Sequence, residues 1–223
     1  MPNLGFLHTA EVHVDTFESL AQDKALSTQH RVHAEWLQQA TREGLNAELR
    51  KEITRELRSL RLACDVVICT CSTLGELAAQ FEDSAVFRVD APMMQQAAAV
   101  AIASPTASVT LLAYCLESTK VTSAQLLRDA FKANSLRANI REVNCESAWP
   151  HFEAGDKQRF GEAIAAQITT SAGAGSANLC SVVLAQASMT AAVQYLGEDL
   201  RSKVLSSPAS AINHAWELIQ SGS

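Results

Sequence analysis

The chain lacks an excess of positive charge: its 18 Lys and Arg are outnumbered by 24 Asp and Glu, giving a formal charge of −6. A nucleic-acid binder ordinarily carries a basic stripe that neutralises phosphates, and the scattered cations here argue against that class. The chain also lacks an N-terminal charged-then-apolar leader and any apolar run of about 18 residues, so neither secretion nor membrane contact is expected and a cytoplasmic location is. There is no C-x-x-C pair and no second ligand cluster, which argues against zinc. The six cysteines (Cys64, Cys69, Cys71, Cys115, Cys145 and Cys180) are irregularly spaced and mostly sit in apolar runs, and so read as reduced thiols. Aromatics are few, and Trp36, Trp149 and Trp216 are too isolated to form a stacking platform.

What the chain does have is 223 residues of 48% hydrophobic content, enough to bury a core without a metal or a disulfide frame. Short apolar runs alternate with helical patterns, the signature of parallel strands joined by crossover helices. Strands are expected near residues 4–9, 65–70, 85–89, 108–114, 138–144, 179–185 and 203–206. Helices are expected over 34–62, 73–81, 92–103, 123–134, 156–172, 188–196 and 208–220, with Thr122 or Ser123 capping the fourth. Small residues cluster at 104–108 and 171–178, and the second cluster reads as a loop.

Two distant stretches share one grammar. VVICTCSTLGEL (66–77) and VVLAQASMTAAV (182–193) each run from paired valines through an apolar continuation into small polar residues and then a helical pattern. Each reads as a strand ending at a helix N-terminus, where ligands of open α/β sheets bind. The expected fold class is therefore α/β: two similar Rossmann-like lobes with mostly parallel sheets and an active-site cleft between them. Residues 1–100 plus 204–223 would form the first lobe and 101–203 the second.

Cys71 sits at the first of these junctions, where unpaired backbone N–H groups and a helix dipole favour thiolate over thiol. Cys69 lies deeper in the apolar run and reads as a buried, inert packing thiol. Cys71 itself is either a reagent or a structural thiol on these grounds alone, since free cysteines are often buried. The N–H groups after it, with the hydroxyls of Ser72 and Thr73, would form a cradle for a carboxylate; Ser72 as a plain helix cap is the simpler alternative.

The stretch from Asp65 to Thr73, D-x-x-x-x-x-C-S-T, resembles the first catalytic motif of the aspartate/glutamate racemase superfamily, which includes hydantoin racemase, maleate isomerase and arylmalonate decarboxylase. FLHTAEVHVDTF, HRVHAEWL, VDAPMMQQAA, LLAYCLEST, VVLAQASM and VLSSPASAI follow the family in order and spacing over most of the chain. The resemblance implies a cofactor-independent enzyme acting on a small carboxylate, in which two cysteines flank the substrate's α-carbon, one removing a proton and the other delivering one. Cys71 matches the first. The second falls at Gln186 or, one residue out of register, at Ala187, and neither can exchange a proton near neutral pH. Cys180 is no substitute, because at about 3.3 Å per residue it lies near the other end of the strand.

Ordinary two-thiol racemisation is therefore not expected, and a single-thiol racemase, isomerase or decarboxylase is. A protein that keeps the fold but only binds carboxylates is the alternative. At the other strand ends the resemblance implies ligand contacts from His8 and Thr9, from Ser118 and Thr119, and from Ser188 and Ser207, with Ala187 beside them. His8 is also a conceivable second acid/base. His30 and His33 read as surface or packing residues, with His30 bordering the cleft as the alternative, and Met93 and Met94 as packing. Tyr114 and Ser206 extend the theme, whereas Glu117 would repel an anion unless paired. An α/β enzyme of this size commonly forms a homodimer.

Overall fold

Two parallel four-stranded sheets organise the computed structural model, which describes residues 1–104, 109–173 and 178–222. The first sheet contains β1 (Asn3–His8), β2 (Ser27–Val32), β3 (Val66–Cys69) and β4 (Val86–Arg88) in the order β2-β1-β3-β4. The second contains β5 (Val109–Tyr114), β6 (Asn139–Asn144), β7 (Leu179–Leu184) and β8 (Val204–Ser206) in the order β6-β5-β7-β8. Each sheet thus repeats one topology, as the shared grammar predicts. The central strands β3, β5 and β7 are buried throughout, as apolar runs covered on both faces must be.

The strand missing from the sequence expectations is β2. Its residues STQHRV are half-buried or exposed because it forms a sheet edge, so no apolar run announces it. The helix between it and β3, expected as one piece, is two: α2 (Ala34–Glu43) and α3 (Ala47–Ala63). Gly44 breaks them with φ of +71°, and its N–H donates to the Ala40 carbonyl at 3.0 Å. Asn46 restarts the chain as helix by accepting the Leu49 N–H at 3.0 Å.

The remaining α-helices are α1 (Val14–Gln22), α4 (Gly75–Ala78), α5 (Ala91–Ala103), α6 (Glu117–Ala133), α7 (Trp149–Glu153), α8 (Lys157–Gly173), α9 (Glu198–Arg201) and α10 (Ser207–Gln220). Where a helix is expected over 188–196, Ala187–Tyr195 form a 3-10 helix. The start of α6 is earlier than expected, so Thr122 and Ser123 do not cap it. Thr122 donates instead to the Ser118 carbonyl at 3.2 Å, and the Ser123 hydroxyl is buried without a partner among the described residues. Of the two small-residue stretches, residues 105–108 and 174–177 lie outside the described residues.

The chain divides into one unit of Met1–Ala91 with Pro208–Ser223 and another of Pro92–Ser207. Packing explains why these boundaries differ from the expected 100/101 and 203/204. Met93, Met94, Ala97 and Ala98 of α5 are buried against Leu112, Tyr114 and Val183 of the second sheet, and β8 pairs with β7. The C-terminal α10 returns to the first unit, where Ala211, Ile212 and Ala215 pack on Phe6, Val66 and Ile68. The other face of the first sheet, with Leu7, Val67 and Cys69, is closed by Leu49, Ile53, Leu57 and Leu60, the apolar stripe of α3.

Candidate functional site

In the first unit, the ladder between β1 and β3 continues one step past the strand, with the Thr70 N–H donating to the Leu7 carbonyl at 2.9 Å. Cys71 follows, 8% exposed, whereas Cys69 is fully buried. Burial pushes the Cys69 thiol far up, holding it protonated, and its Sγ lies 3.7 Å from the Cys71 carbonyl. Beyond Cys71 the chain makes a turn through Leu74 and then only the single turn of α4, much shorter than the helix expected over 73–81. A one-turn helix has little summed dipole, so the surroundings of Cys71 must be read from its neighbours.

A charged pair that no motif announced is tied to this turn. Arg88, the last residue of β4, sits beside Cys69 in register and donates to both carboxylate oxygens of Asp90, at 2.5 Å through Nε and 2.9 Å through Nη2. The same Nη2 reaches the Ser72 carbonyl at 3.2 Å, tying β4 to the turn after Cys71. Both partners are buried, at 6% and 1% exposure, so each compensates a charge that would otherwise be stranded. Gly75 makes the packing feasible: a Cβ there would lie 3.0 Å from Arg88 Cβ and 3.3 Å from its Nε. Arg and Asp two apart in FRVD was the available signal.

His8, the last residue of β1, is fully buried. Its Nδ1 lies 2.8 Å from Thr70 Oγ1 and its Nε2 lies 2.8 Å from His30 Nδ1, so both ring nitrogens are committed within the protein. Burial first, then the charges of His30 and His13, push its pKa down to about 3, and the ring stays neutral. His30 Nε2 continues the chain to Glu18 Oε2 at 3.2 Å. Hydrogen bonds from Thr28, Gln22 and His30 hold the Glu18 carboxyl below its ordinary range, so a carboxylate terminates this line of side chains. Phe6 and His30 stack at 4.9 Å and His8 and His30 at 5.1 Å, which fixes the ring planes.

Thr9 is buried beside His8, Ser72 is half-buried and Thr73 is exposed. The His33 backbone N–H donates to the His8 carbonyl at 2.9 Å, while its ring stacks on Trp36 at 3.8 Å and lies 3.1 Å from Glu35.

The second unit has the same register with different chemistry. Leu7 pairs with Cys69 in the first sheet, and Ala113 pairs with Leu184 in the second. The Ala185 N–H donates to the Ala113 carbonyl at 2.9 Å, as Thr70 does to Leu7. Cys71 and Gln186 are thus each the second residue beyond the third strand of their own sheet. Gln186 is half-buried, and its Oε1 accepts the backbone N–H of Cys115 at 2.8 Å. Cys115 and Cys145 are fully buried, and burial pushes each thiol up to about 12. Cys180 lies at the opposite end of β7, where its thiol donates to the Val109 carbonyl at 3.1 Å.

Ala187 and Ser188 open the 3-10 helix, both half-buried, and Ser207 is buried at the start of α10. Ser118 and Thr119 lie in the first turn of α6, whose start has no side-chain cap. Glu117 is paired there with Lys120, 2.5 Å away, and Lys120 also lies over the Tyr114 ring at 5.6 Å. Sequence reading missed Lys120, whose role depends on α6 starting early. Among the described residues no group of three or more His, Cys, Asp and Glu could hold a metal ion, and no helix is long and apolar enough to cross a membrane.

No sequence family matches the chain, and no curated protein does. Solved structures do. An aspartate racemase from Picrophilus torridus is 17% identical, with a TM-score of 0.64 over 99% of this chain and 94% of its own. An aspartate racemase homologue from Pyrococcus horikoshii OT3 is 13% identical, with a TM-score of 0.64 over 99% of this chain and 100% of its own. Glutamate racemase isoform RacE1 from Bacillus anthracis is also 13% identical, at 0.62 over 99% of this chain and 82% of its own. The resemblance read from the ordered motifs is thereby met in three dimensions: the chain has the two-sheet α/β fold of the aspartate and glutamate racemases.

Proposed function

We propose that the protein is a cofactor-independent enzyme of the racemase-fold group, cytoplasmic and homodimeric, that acts on a small carboxylate or amino-acid-like carbon acid through the single thiol of Cys71. The observation that supports this reading most is the equivalence of Cys71 and Gln186 at the two strand ends. One position holds an ionisable nucleophile; the other holds an amide, which neither takes nor gives a proton near neutral pH. Ser72, Thr73, Thr9, Ser118, Thr119, Ser188 and Ser207 are the proposed sources of donors to the carboxylate.

A lone thiol on one face of a carbon acid does three kinds of chemistry: it removes and returns the α-proton, protonates the carbanion left by loss of CO2, or adds to an activated double bond. For an amino-acid substrate the first predicts exchange of the α-hydrogen with solvent while configuration is retained, because proton removal and return use the same face. The test is to incubate L-aspartate and L-glutamate with the protein in D2O and follow both α-proton loss and chirality. Exchange without inversion is expected, and Cys71→Ala is expected to slow it at least about a hundredfold with folding intact. Full activity in that variant would sink the proposal. The amide at position 186 also favours a second reading, a carboxylate-binding protein without turnover, for which calorimetric binding without exchange is the signature.

A further inference from the structure

We infer that Gln186 is a substrate-binding residue whose side-chain NH2 donates to an anionic oxygen of the carboxylate ligand. This rests on the function just proposed, and it gives the second strand end a positive role.

The argument starts from the amide's orientation. A backbone N–H can only donate, so the atom of Gln186 that faces Cys115 at 2.8 Å must be the carbonyl oxygen. Flipping the amide would set two donors against each other and leave the N–H of a fully buried residue unsatisfied. Oε1 is therefore fixed toward β5, and Nε2 with its two protons points away from it. Among the described residues no acceptor takes those protons. The side chain is half-buried, so the NH2 is not sealed into the core.

The uncapped helix start beside this amide favours an anion. Cys115, the residue that Gln186 grips, directly precedes Leu116 and the uncapped start of α6. Lys120 is shared between Glu117 at 2.5 Å and Glu142 at 3.8 Å and does not cancel both, so the helix start and the free amide protons, not the charged side chains, carry the case for an anion. A pre-oriented neutral donor stabilises a carboxylate, or the enediolate formed from it, without a change of its own protonation. In this respect Gln186 resembles an oxyanion-hole amide rather than an acid/base.

Gln186→Glu keeps a carboxylate oxygen for the Cys115 N–H while the NH2 is lost, and because its charge also repels an anion, binding is compared at low and at about 1 M salt, where repulsion is screened and the loss of a donor is not. Gln186→Leu removes both functions. The measurements are calorimetric titration with succinate, L-aspartate and L-glutamate, and hydrogen exchange at the Cys115 amide. Wild type is expected to bind at least one of the three. Gln186→Glu should keep Cys115 protected yet weaken that binding at least about tenfold at either salt, and Gln186→Leu should lose protection and binding together. If Gln186→Glu binds as tightly as wild type at high salt, the inference is overturned while the proposed function stands. If wild type neither binds any of these acids nor exchanges their α-hydrogens, the proposed function falls and takes the inference with it.

Discussion

The strand ends of the two units differ in charge as sharply as they agree in topology. Beyond the first sheet stand a cysteine, a buried Arg88–Asp90 pair and a line of side chains from Thr70 through His8 and His30 to Glu18. At the corresponding places of the second sheet Ser206 pairs with Leu184 as Arg88 pairs with Cys69, Gln186 stands where Cys71 does, and the nearby thiols of Cys115 and Cys145 are buried and protonated. One backbone plan therefore carries a thiol near a buried ion pair in one copy and an amide near the more exposed Glu117–Lys120 pair in the other. Fold likeness fixes where side chains emerge, and only the side chains decide what is done there.

The largest structural break in this comparison should come from Arg88→Met. It strands the Asp90 carboxylate in the core, at a cost of about 3–5 kcal/mol, and frees the turn after Cys71. Urea denaturation is expected to show that loss, and Arg88→Met combined with Asp90→Leu should recover much of it. Ser206→Ala, the matching change in the second sheet, should cost under about 1 kcal/mol. Equal costs at the two positions would mean that the charge asymmetry contributes nothing to stability.

Per pH unit, a smaller effect is expected from acid. The folded-state pKa of His8, about 3, is below the ordinary 6.5, so the unfolded chain binds a proton that the folded one refuses. The contribution of His8 is fully present above pH 6.5 and is lost as pH falls from 6.5 toward 3, with a slope of at most about 1.4 kcal/mol per pH unit. His8→Asn should flatten that acid limb in pH-dependent unfolding experiments. An unchanged slope would show that His8 titrates alike in both states. The smallest effect belongs to the second unit. Ser123→Ala removes a buried hydroxyl with no partner among the described residues and should be neutral or stabilise by up to about 1 kcal/mol, measured as a rise in the urea midpoint.

Much of the fold was legible because interior parallel strands advertise themselves as apolar runs, as VVIC and VTLLAY do. STQHRV was not, because an edge strand has little to bury. The start of α6 was misplaced for a related reason: it begins at Glu117 after Leu116, whose side chain cannot cap, while two good capping residues, Thr122 and Ser123, lie inside it. At the strand ends, the shared grammar of the two stretches and the family resemblance matched Cys71 with Gln186 or Ala187, and the strand register favours Gln186. The partners that give them context could not be read. His30 reaches His8 across 22 residues and Gln186 reaches Cys115 across 71, and sequence spacing carries no signal for contacts of that range. His30 read as surface or packing because its nearest neighbours in sequence are polar.

The second unit is one continuous stretch, Pro92–Ser207, whereas the first is completed only by Pro208–Ser223. During synthesis, the second unit can therefore close while the first still lacks α10, leaving the apolar face formed by Phe6, Val66 and Ile68 uncovered until Ala211, Ile212 and Ala215 arrive. The half that holds Cys71 starts before the second unit and is completed after it, so its apolar face stays open to misfolding and aggregation while the whole of Pro92–Ser207 is being made.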